Sequence, residues 1–192
     1  MQPVDDASTA HRLARALRHL PDQLLHRLRR RALRRRLAVR APIDRFLFVC
    51  HGNICRSPYA AAVANRLLSE RGTSRIHADS AGFFGPDRPS PDTAVEVARE
   101  RGLDLGAHRS KLVTPELVRT ARLIIVMDPS QRATLIGRYG RADDIVVMGD
   151  LDPEPCSRRA IRDPVEQPRE VFAASYSRIE RCVAALVGTI VR

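Results

Sequence analysis

The sequence predicts an α/β protein in which helices cover both faces of a parallel β-sheet. From residue 45 onwards, four short apolar runs typical of buried strands alternate with segments whose apolar residues recur at helical spacing. Strands that alternate with helices in this way are typical of parallel sheets. The 192 residues are enough for one domain with a sizeable core.

The predicted elements follow one another in a regular order. The strands are RFLFVC (45–50), IHADSAG (76–82), RLIIVMD (122–128) and DIVVMGD (144–150). The helices are predicted over residues 57–72, 91–102, 114–121, 129–140 and about 169–190. Gly72 and Gly102 mark the ends of the first two helices, and the proline-bearing segment 151–168 is predicted to be a loop.

Residues 1–41 differ from the rest of the chain and are predicted to be a basic extension that is helical or partly disordered. Residues 1–40 hold 11 arginines and 3 aspartates, so they carry +8 of the net charge of +11. Ser8 or Thr9 is expected to cap a first helix, and Pro21-Asp22 to interrupt it before a second. Because arginine dominates this second helix, we expect it to be marginal rather than packed. Residues 42–192 are predicted to form the folded domain.

The basic extension has three possible roles. The first is a solvated, partly disordered arm without a partner. The second is docking on an anionic membrane surface or an acidic partner, where each basic residue contributes about 1 kcal/mol to the binding free energy. Nucleic-acid binding is the least supported interpretation, because aromatic residues for base stacking make up only 4% of the chain.

Several classes of protein are excluded by simple features of the sequence. The four cysteines form no CxxC pair, so neither a disulfide framework nor a zinc site is predicted, and no metal or other cofactor is expected. No run approaches the roughly 18 to 20 apolar residues that span a bilayer. The N-terminus is not typical of a secretory signal. A reducing, cytoplasmic location is therefore expected.

The loop that follows the first predicted strand, CHGNICRS (50–57), is predicted to bind phosphate. Gly52 and Asn53 tolerate positive φ, so the loop can turn its N–H groups inward as an anion-binding nest. Ser57-Pro58 is a strong helix start, and the helix dipole adds to the attraction for anions. Arg56 supplies a planar, two-pronged donor for phosphate oxygens.

Cys50 is predicted to lie beneath the bound anion as a nucleophile. A helix N-terminus and an arginine favour the thiolate form of a nearby cysteine, and a thiolate attacks phosphorus readily. The alternative interpretation is a small buried residue at a strand end. Cys156 and Arg162 repeat the Cys-x5-Arg spacing, but that copy lacks a preceding strand, a glycine and a following Ser or Thr. It is therefore attributed to chance.

These residues resemble the signature loop of the low-molecular-weight protein tyrosine phosphatases. The resemblance covers about residues 45–190, and its AHRS segment is typical of bacterial members. The matching segments are LFVCHGNICRSP (47–58), DSAG (79–82), GLDLGAHRS (102–110), LIIVMD (123–128) and DP (163–164). The resemblance implies three α/β/α layers with a four-stranded parallel sheet in the order 2-1-3-4. It implies a phosphomonoester hydrolase acting on phosphotyrosine proteins or on another phosphomonoester.

The resemblance also implies roles for individual residues. Cys50 would be the nucleophile that forms a phosphocysteine intermediate, and Arg56 the phosphate clamp. Asp163 would be the general acid and then the general base, since an alkyl or aryl oxygen leaves poorly without a proton. The residues expected to surround the phosphate are His51, Gly52, Asn53, Ile54, Cys55, Arg56 and Ser57.

A supporting network is implied in the same way. Ser57 would donate a hydrogen bond to the thiolate of Cys50, and Asn53, Ser80 and His108 would hold the loop in shape. Cys55 matches the second loop cysteine of the family, which suggests a protective disulfide with Cys50. The alternative is that Cys55 only packs in the core.

The sequence departs from the family pattern after the Asp-Pro pair. Family members usually carry aromatic residues there, whereas this chain has Val165 and Glu166. Val165 is therefore expected on one wall of the substrate slot, with Phe83 and Phe84 on the other. The alternative for both phenylalanines is ordinary loop packing.

Two other functions remain open at this point. An arsenate reductase on the same scaffold would need Cys156 and Cys182 as relay thiols, and neither belongs to a paired arrangement. A phosphate-binding or phosphoprotein-binding module without turnover is the alternative that is not an enzyme.

Overall fold

The computed structural model describes residues 24–39, 43–73, 75–140, 142 and 144–191. Helix α1 spans residues 24–38. The other α-helices are α2 (Arg56–Glu70), α3 (Asp92–Arg99), α4 (Pro115–Thr120), α5 (Pro129–Tyr139) and α6 (Arg169–Ile190). The strands are β1 (Arg45–Cys50), β2 (His77–Gly82), β3 (Leu123–Val126) and β4 (Ile145–Val147), and a 3-10 turn, Met148–Leu151, follows β4.

The four strands form one parallel sheet in the order β2-β1-β3-β4, which confirms the predicted fold. Strand β1 is central, and Cys50 at its C-terminal end pairs with Gly82 of β2. In parallel α/β sheets, ligands bind beyond the carboxyl ends of the strands. The register therefore places Cys50 where this fold binds ligands.

Side chains of β1 alternate between two cores, one on each face of the sheet. Phe46 and Phe48 belong to the larger core, which includes residues of α2 and α6. Leu47 and Val49 point the other way, into the core that includes residues of α4 and α5. Burial on both faces explains why the strands are continuous apolar runs. The result is the predicted three-layer arrangement.

The ends of the helices agree with the sequence signals, with one exception. Gly72 and Gly102 follow α2 and α3 with φ of 66° and 73°, values that glycine adopts without steric cost. The helix predicted to start at Ser57-Pro58 begins one residue earlier, at Arg56, with Cys55 rather than Ser57 as its N-cap. The Ser57 hydroxyl lies instead 3.0 Å from the sulfur of Cys50.

Helix α1 packs against the domain rather than standing apart from it. Leu33 and Leu37 belong to the larger core, and buried His26 donates from Nε2 to the backbone carbonyl of Asp152 at 3.0 Å. The expectation of a marginal helix is therefore wrong for these residues. Positions 26, 33 and 37 form one narrow stripe on the helix, and such a stripe is enough to dock it.

Two other expectations for the extension, a cap at Ser8 or Thr9 and an interruption at Pro21-Asp22, lie outside the described residues. No helix in the described part of the chain combines the length and the apolar character that crossing a bilayer requires.

The packing of α1 predicts that its inner stripe contributes to the stability of the whole domain. Leu37 is 2% exposed, so Leu37→Ala should lower the free energy of unfolding by about 2–5 kcal/mol in urea denaturation. Val39, the first residue after this helix, is 87% exposed, and Val39→Ala should change the free energy of unfolding by less than about 0.5 kcal/mol. Equal, small effects of both substitutions would show that α1 does not share the core.

Candidate active site

The loop of residues 50–57, called the Cys50 loop below, folds around the sulfur of Cys50. The backbone N–H of Asn53 donates to this sulfur at 3.2 Å, and the Ser57 hydroxyl lies 3.0 Å from it. Asn53 adopts a left-handed conformation with φ of 52°, which asparagine tolerates better than most residues. Helix α2 then begins at Arg56. The sulfur therefore lies beside the N-terminus of a 15-residue helix.

Asn53 holds the loop to its surroundings through every polar group it has. Its Nδ2 donates to the hydroxyls of Ser57 and Ser80, both at 2.9 Å, and its Oδ1 accepts from the backbone N–H of Lys111 at 2.9 Å. Its backbone carbonyl accepts a 2.7 Å hydrogen bond from Nε2 of His108. The structure thus brings together Asn53, Ser57, Ser80 and His108, the four residues expected to form a network.

His108 is suited to the donor role in this network. Burial of its ring is the largest effect on its pKa and lowers it from the ordinary value, so the neutral ring is favoured. The Asn53 carbonyl can only accept, which fixes the proton on Nε2. His108 therefore braces the loop without adding a charge beside it.

Arg56 and Asp163 form the charged part of the site. The guanidinium of Arg56 is buried, and its Nη1 donates to the backbone carbonyl of Ile161 at 3.2 Å. Its Nη2 donates to Oδ2 of Asp163, a partly exposed carboxylate. Its buried Nε has no hydrogen-bond partner within the described part of the chain. Since a buried N–H rarely lacks a partner, Arg56 has a donor available for an anion.

A cavity of about 110 Å³ opens above the sulfur of Cys50. It is lined by Cys50, His51, Gly52, Ile54, Cys55, Arg56, Arg88, Asp163 and Val165. The nucleophile, the guanidinium and the carboxylate expected from the sequence therefore share one small cavity. The dimensions suit a phosphate-sized group at its base.

The expected walls of the substrate slot are only partly present. Phe84 is exposed and stacks on the ring of His51, with centroids 5.6 Å apart, and Val165 lines the cavity. Phe83 lies elsewhere: its ring packs against the second core, with the guanidinium of Arg138 5.4 Å away. Phe84 therefore does not line the cavity itself but packs on the ring of His51, which does.

Arg88 is a site residue that the sequence analysis missed. Its Nη2 donates to the backbone carbonyls of Gly52 and Phe84, both at 2.9 Å, and its Nε donates to that of Gly85 at 3.2 Å. A Cβ on Gly52 would lie 2.8 Å from Nη2, and one on Gly85 2.7 Å from Nε. Gly52 thus leaves room for the guanidinium of Arg88, and its φ is not positive as predicted. In so arginine-rich a chain, no sequence signal distinguishes Arg88.

Gly82, at the end of β2, was also missed as a site residue. A Cβ at this position would lie 2.8 Å from the backbone N of Asn53 and 2.8 Å from the carbonyl oxygen of His51. Both contacts are with the backbone of the Cys50 loop, which cannot move aside as easily as a flexible side chain can. The signal was present in the sequence, because Gly82 closes the DSAG segment.

The other cysteines differ from Cys50 in their surroundings. Cys55 is a free, buried thiol whose pKa is raised, chiefly by burial. Burial also raises the pKa of Cys182, within α6, and of Cys156, whose sulfur lies 3.4 Å from Nδ1 of His26. Neither Cys156 nor Cys182 lines the cavity above Cys50. A raised pKa keeps these thiols neutral and therefore weak as nucleophiles.

The contact between Gly82 and the Cys50 loop predicts a large loss of activity in Gly82→Ala. The added methyl group should displace the loop backbone, and displacements of about 1 Å cost about 10²-fold in catalysis. The measurement is kcat/KM for p-nitrophenyl phosphate, with circular dichroism to verify folding.

Gly137→Ala is the matched control for this substitution. Gly137 lies in α5, and a Cβ there would meet no atom within 4 Å. It should leave activity unchanged and raise stability by up to about 1 kcal/mol. A folded Gly82→Ala protein with unchanged kcat/KM would contradict the conclusion that the Cys50 loop needs a glycine at position 82 to approach β2.

The comparisons with known proteins agree with this geometry. The probable low molecular weight protein-tyrosine-phosphatase EpsP of Ralstonia nicotianae is 34% identical over 149 residues, which cover 77% of this chain and 97% of the relative. A crystal structure of a low molecular weight protein tyrosine phosphatase from T. tengcongensis matches with a TM-score of 0.68 and 32% identity, over 75% of this chain and 97% of the other.

The tyrosine phosphatase AmsI of Erwinia amylovora matches with a TM-score of 0.71 and 26% identity, over 79% of this chain and 96% of the other. Residues 45–192 match the family described as low molecular weight phosphotyrosine protein phosphatase, which is three quarters of the chain. The chain therefore belongs to the low molecular weight phosphotyrosine protein phosphatase family.

Proposed function

We propose that this chain is a phosphomonoester hydrolase that dephosphorylates phosphotyrosine in proteins through a phosphocysteine intermediate. The observation that carries the proposal is the position of the Cys50 sulfur at the base of a cavity that Arg56 and Asp163 also line. Family membership supports the same activity. That all four cysteines are free thiols supports a reducing, cytoplasmic location.

In the first step, the phosphate group enters the Cys50 loop and is held by backbone N–H groups and by Arg56. The free Nε of Arg56 is available for one phosphate oxygen. The Cys50 sulfur attacks phosphorus opposite the ester oxygen, so that the S–P bond forms as the P–O bond breaks. Asp163, at the mouth of the cavity, gives its proton to the leaving oxygen.

In the second step, water hydrolyses the phosphocysteine. Asp163, now ionised, takes a proton from the attacking water, and the S–P bond breaks to release inorganic phosphate. The sulfur recovers its negative charge, which the N–H of Asn53 and the hydroxyl of Ser57 stabilise from 3.2 and 3.0 Å. The same two donors contact the sulfur when it attacks phosphorus and when it leaves.

When substrate binds, Arg56 is expected to exchange its contact with Asp163 for a contact with the phosphate group. In the structure, Nη2 of Arg56 binds the carboxylate of Asp163. An incoming phosphate offers Arg56 a doubly charged partner with bidentate geometry. Asp163 is then released toward the ester oxygen, where it takes up a proton from solvent and passes it to the leaving oxygen.

The slot favours a flat aromatic ester, although a slot with two aromatic walls would favour it more strongly. His51, with Phe84 stacked on its ring, supplies one aromatic side, and Val165 supplies an aliphatic contact in the cavity. An absent aromatic pair costs about 0.5–1.5 kcal/mol, or up to about tenfold in affinity. We therefore expect phosphotyrosine to be preferred over phosphoserine and phosphothreonine, with a high KM for the isolated amino acid.

The alternatives have less support. Arsenate reduction would need thiols that relay a disulfide from Cys50, but Cys182 is buried within α6 and does not line the cavity. A binding module without turnover would need no acid at the cavity mouth, where Asp163 lies.

The proposal predicts different behaviour for Cys50→Ser and Asp163→Asn. Cys50→Ser should reduce phosphate release by at least about 10⁴-fold on every substrate, because the nucleophile is lost. Asp163→Asn should lose about 10²–10⁴-fold on phenyl phosphate and phosphotyrosine, but much less on p-nitrophenyl phosphate, whose leaving group needs little protonation. The measurement is steady-state kinetics in EDTA.

Arg71→Gln, an exposed substitution beyond the end of α2, serves as the control and should behave like the wild type. Equal losses of Asp163→Asn on both aryl phosphates would refute Asp163 as the acid. Activity that survives Cys50→Ser would refute the proposed function. Tight vanadate binding by a wild type without turnover would favour the binding module, and arsenate-dependent thiol consumption would favour the reductase.

A further inference from the structure

Helix α1 carries a strongly basic surface that the proposed catalytic chemistry does not use. Residues 24–39 contain seven arginines and no acidic residue. Arg29 lies 3.5 Å from Asp150. By contrast, Arg31, Arg34 and Arg35 are exposed, and none of them forms an ion pair with another residue in the described ranges. This charge is therefore presented to solvent.

The face of α1 opposite its buried stripe combines arginine with leucine. Leu24, Leu28, Arg31 and Arg35 follow one another at helical spacing and lie on one side of the helix, called the α1 outer surface below. Leu24 is 54% exposed and Leu28 is 64% exposed. Because the inner stripe is packed on the domain, the helix lies along the body and turns this surface outward.

A groove of about 750 Å³ lies beside the α1 outer surface. One side is formed by α1 and the other by the end of α6 and the segment after the 3-10 turn. The arginines that line it are Arg27, Arg30, Arg31, Arg34 and Arg35. The buried Nε of Arg30 has no hydrogen-bond partner within the described residues. The exposed guanidinium groups of Arg31, Arg34 and Arg35 therefore offer donors to several anionic groups in the groove.

We propose that α1 docks the protein on a membrane surface that contains anionic phospholipid. The arginines bind lipid phosphate and carboxylate groups, in part within the groove, and Leu24 and Leu28 enter the boundary between headgroups and acyl chains. Basic residues attract anionic lipid, and exposed leucines on the same helix add apolar burial that only a membrane provides. This inference concerns a surface outside the catalytic cavity and does not depend on the proposed activity.

The leucines decide between a membrane and other polyanions. Nucleic acid would accept the arginines but would leave Leu24 and Leu28 in water, and residues 24–39 contain no aromatic side chain for base stacking. Charge and apolar exposure together therefore favour a lipid surface.

The test is sedimentation of the full-length protein with vesicles of two compositions. One is phosphatidylcholine alone, and the other contains about one third phosphatidylserine. The protein should sediment with the second only, and binding should weaken as salt rises. Each basic residue strengthens such binding by about fivefold, so the triple variant Arg31→Gln, Arg34→Gln, Arg35→Gln should bind about 10²-fold more weakly.

Two further variants separate the contributions of charge and leucine. The triple variant Arg71→Gln, Arg75→Gln, Arg119→Gln makes the same change in net charge at exposed sites outside α1 and should bind like the wild type. Leu24→Ser with Leu28→Ser should weaken binding about tenfold or more while leaving its salt dependence unchanged. All variants should hydrolyse p-nitrophenyl phosphate in solution at the wild-type rate.

Several results would overturn the proposal. These are no binding to the phosphatidylserine vesicles, equal binding to both compositions, equal loss in the two arginine variants, or no effect of the leucine substitutions. Binding to duplex DNA that is insensitive to the leucines, without vesicle binding, would assign α1 to nucleic acid instead. Because hydrolysis is measured separately, failure of membrane binding would leave the proposed phosphatase activity standing.

Discussion

The geometry of the catalytic cavity depends on one buried side chain, that of Asn53. Its left-handed backbone turns an N–H toward the Cys50 sulfur, a conformation that costs on the order of 1–3 kcal/mol for a residue other than glycine. Its side chain makes three hydrogen bonds and its backbone two more. At about 0.5–1.5 kcal/mol each, these bonds exceed the cost. Glycine would relieve the strain but would lose the three side-chain bonds.

The sheet supplies a rigid base for this arrangement. Strand β1 is buried on both faces and delivers Cys50 at its carboxyl end, while β2 beside it ends at Gly82 and lets the loop approach closely. Arg88 fastens the far side of the loop at the carbonyl of Gly52. The loop is therefore held from β2, from Arg88 and from α2, so the donors around the sulfur are in place before substrate arrives.

Much of this architecture could be predicted from the sequence because the relevant signals are local. Strands buried on both faces are continuous apolar runs, and Gly72 and Gly102 mark chain reversals through their backbone freedom. The loop was recognisable because its cysteine, glycine, arginine and serine are consecutive in the chain. The strand order came from resemblance to the family, since pairing between distant strands leaves no local signal.

The remaining features could not be predicted because they depend on contacts between distant segments. Docking of α1 rests on Leu33 and Leu37, whose spacing is obscured by the surrounding arginines. The contact of Arg88 with Gly52 joins residues 36 positions apart. Phe83 and Phe84 are adjacent in sequence, yet one packs in a core and the other stacks on His51, because neighbouring side chains point in different directions.

The most direct test of the central claim is a crystal structure of the protein with vanadate. Vanadate should bond to the sulfur of Cys50, with its oxygens on the backbone N–H groups of the Cys50 loop and on the guanidinium of Arg56. The carboxylate of Asp163 should face the oxygen opposite the sulfur. Vanadate bound elsewhere, or a Cys50 loop left empty at saturating vanadate, would contradict the account.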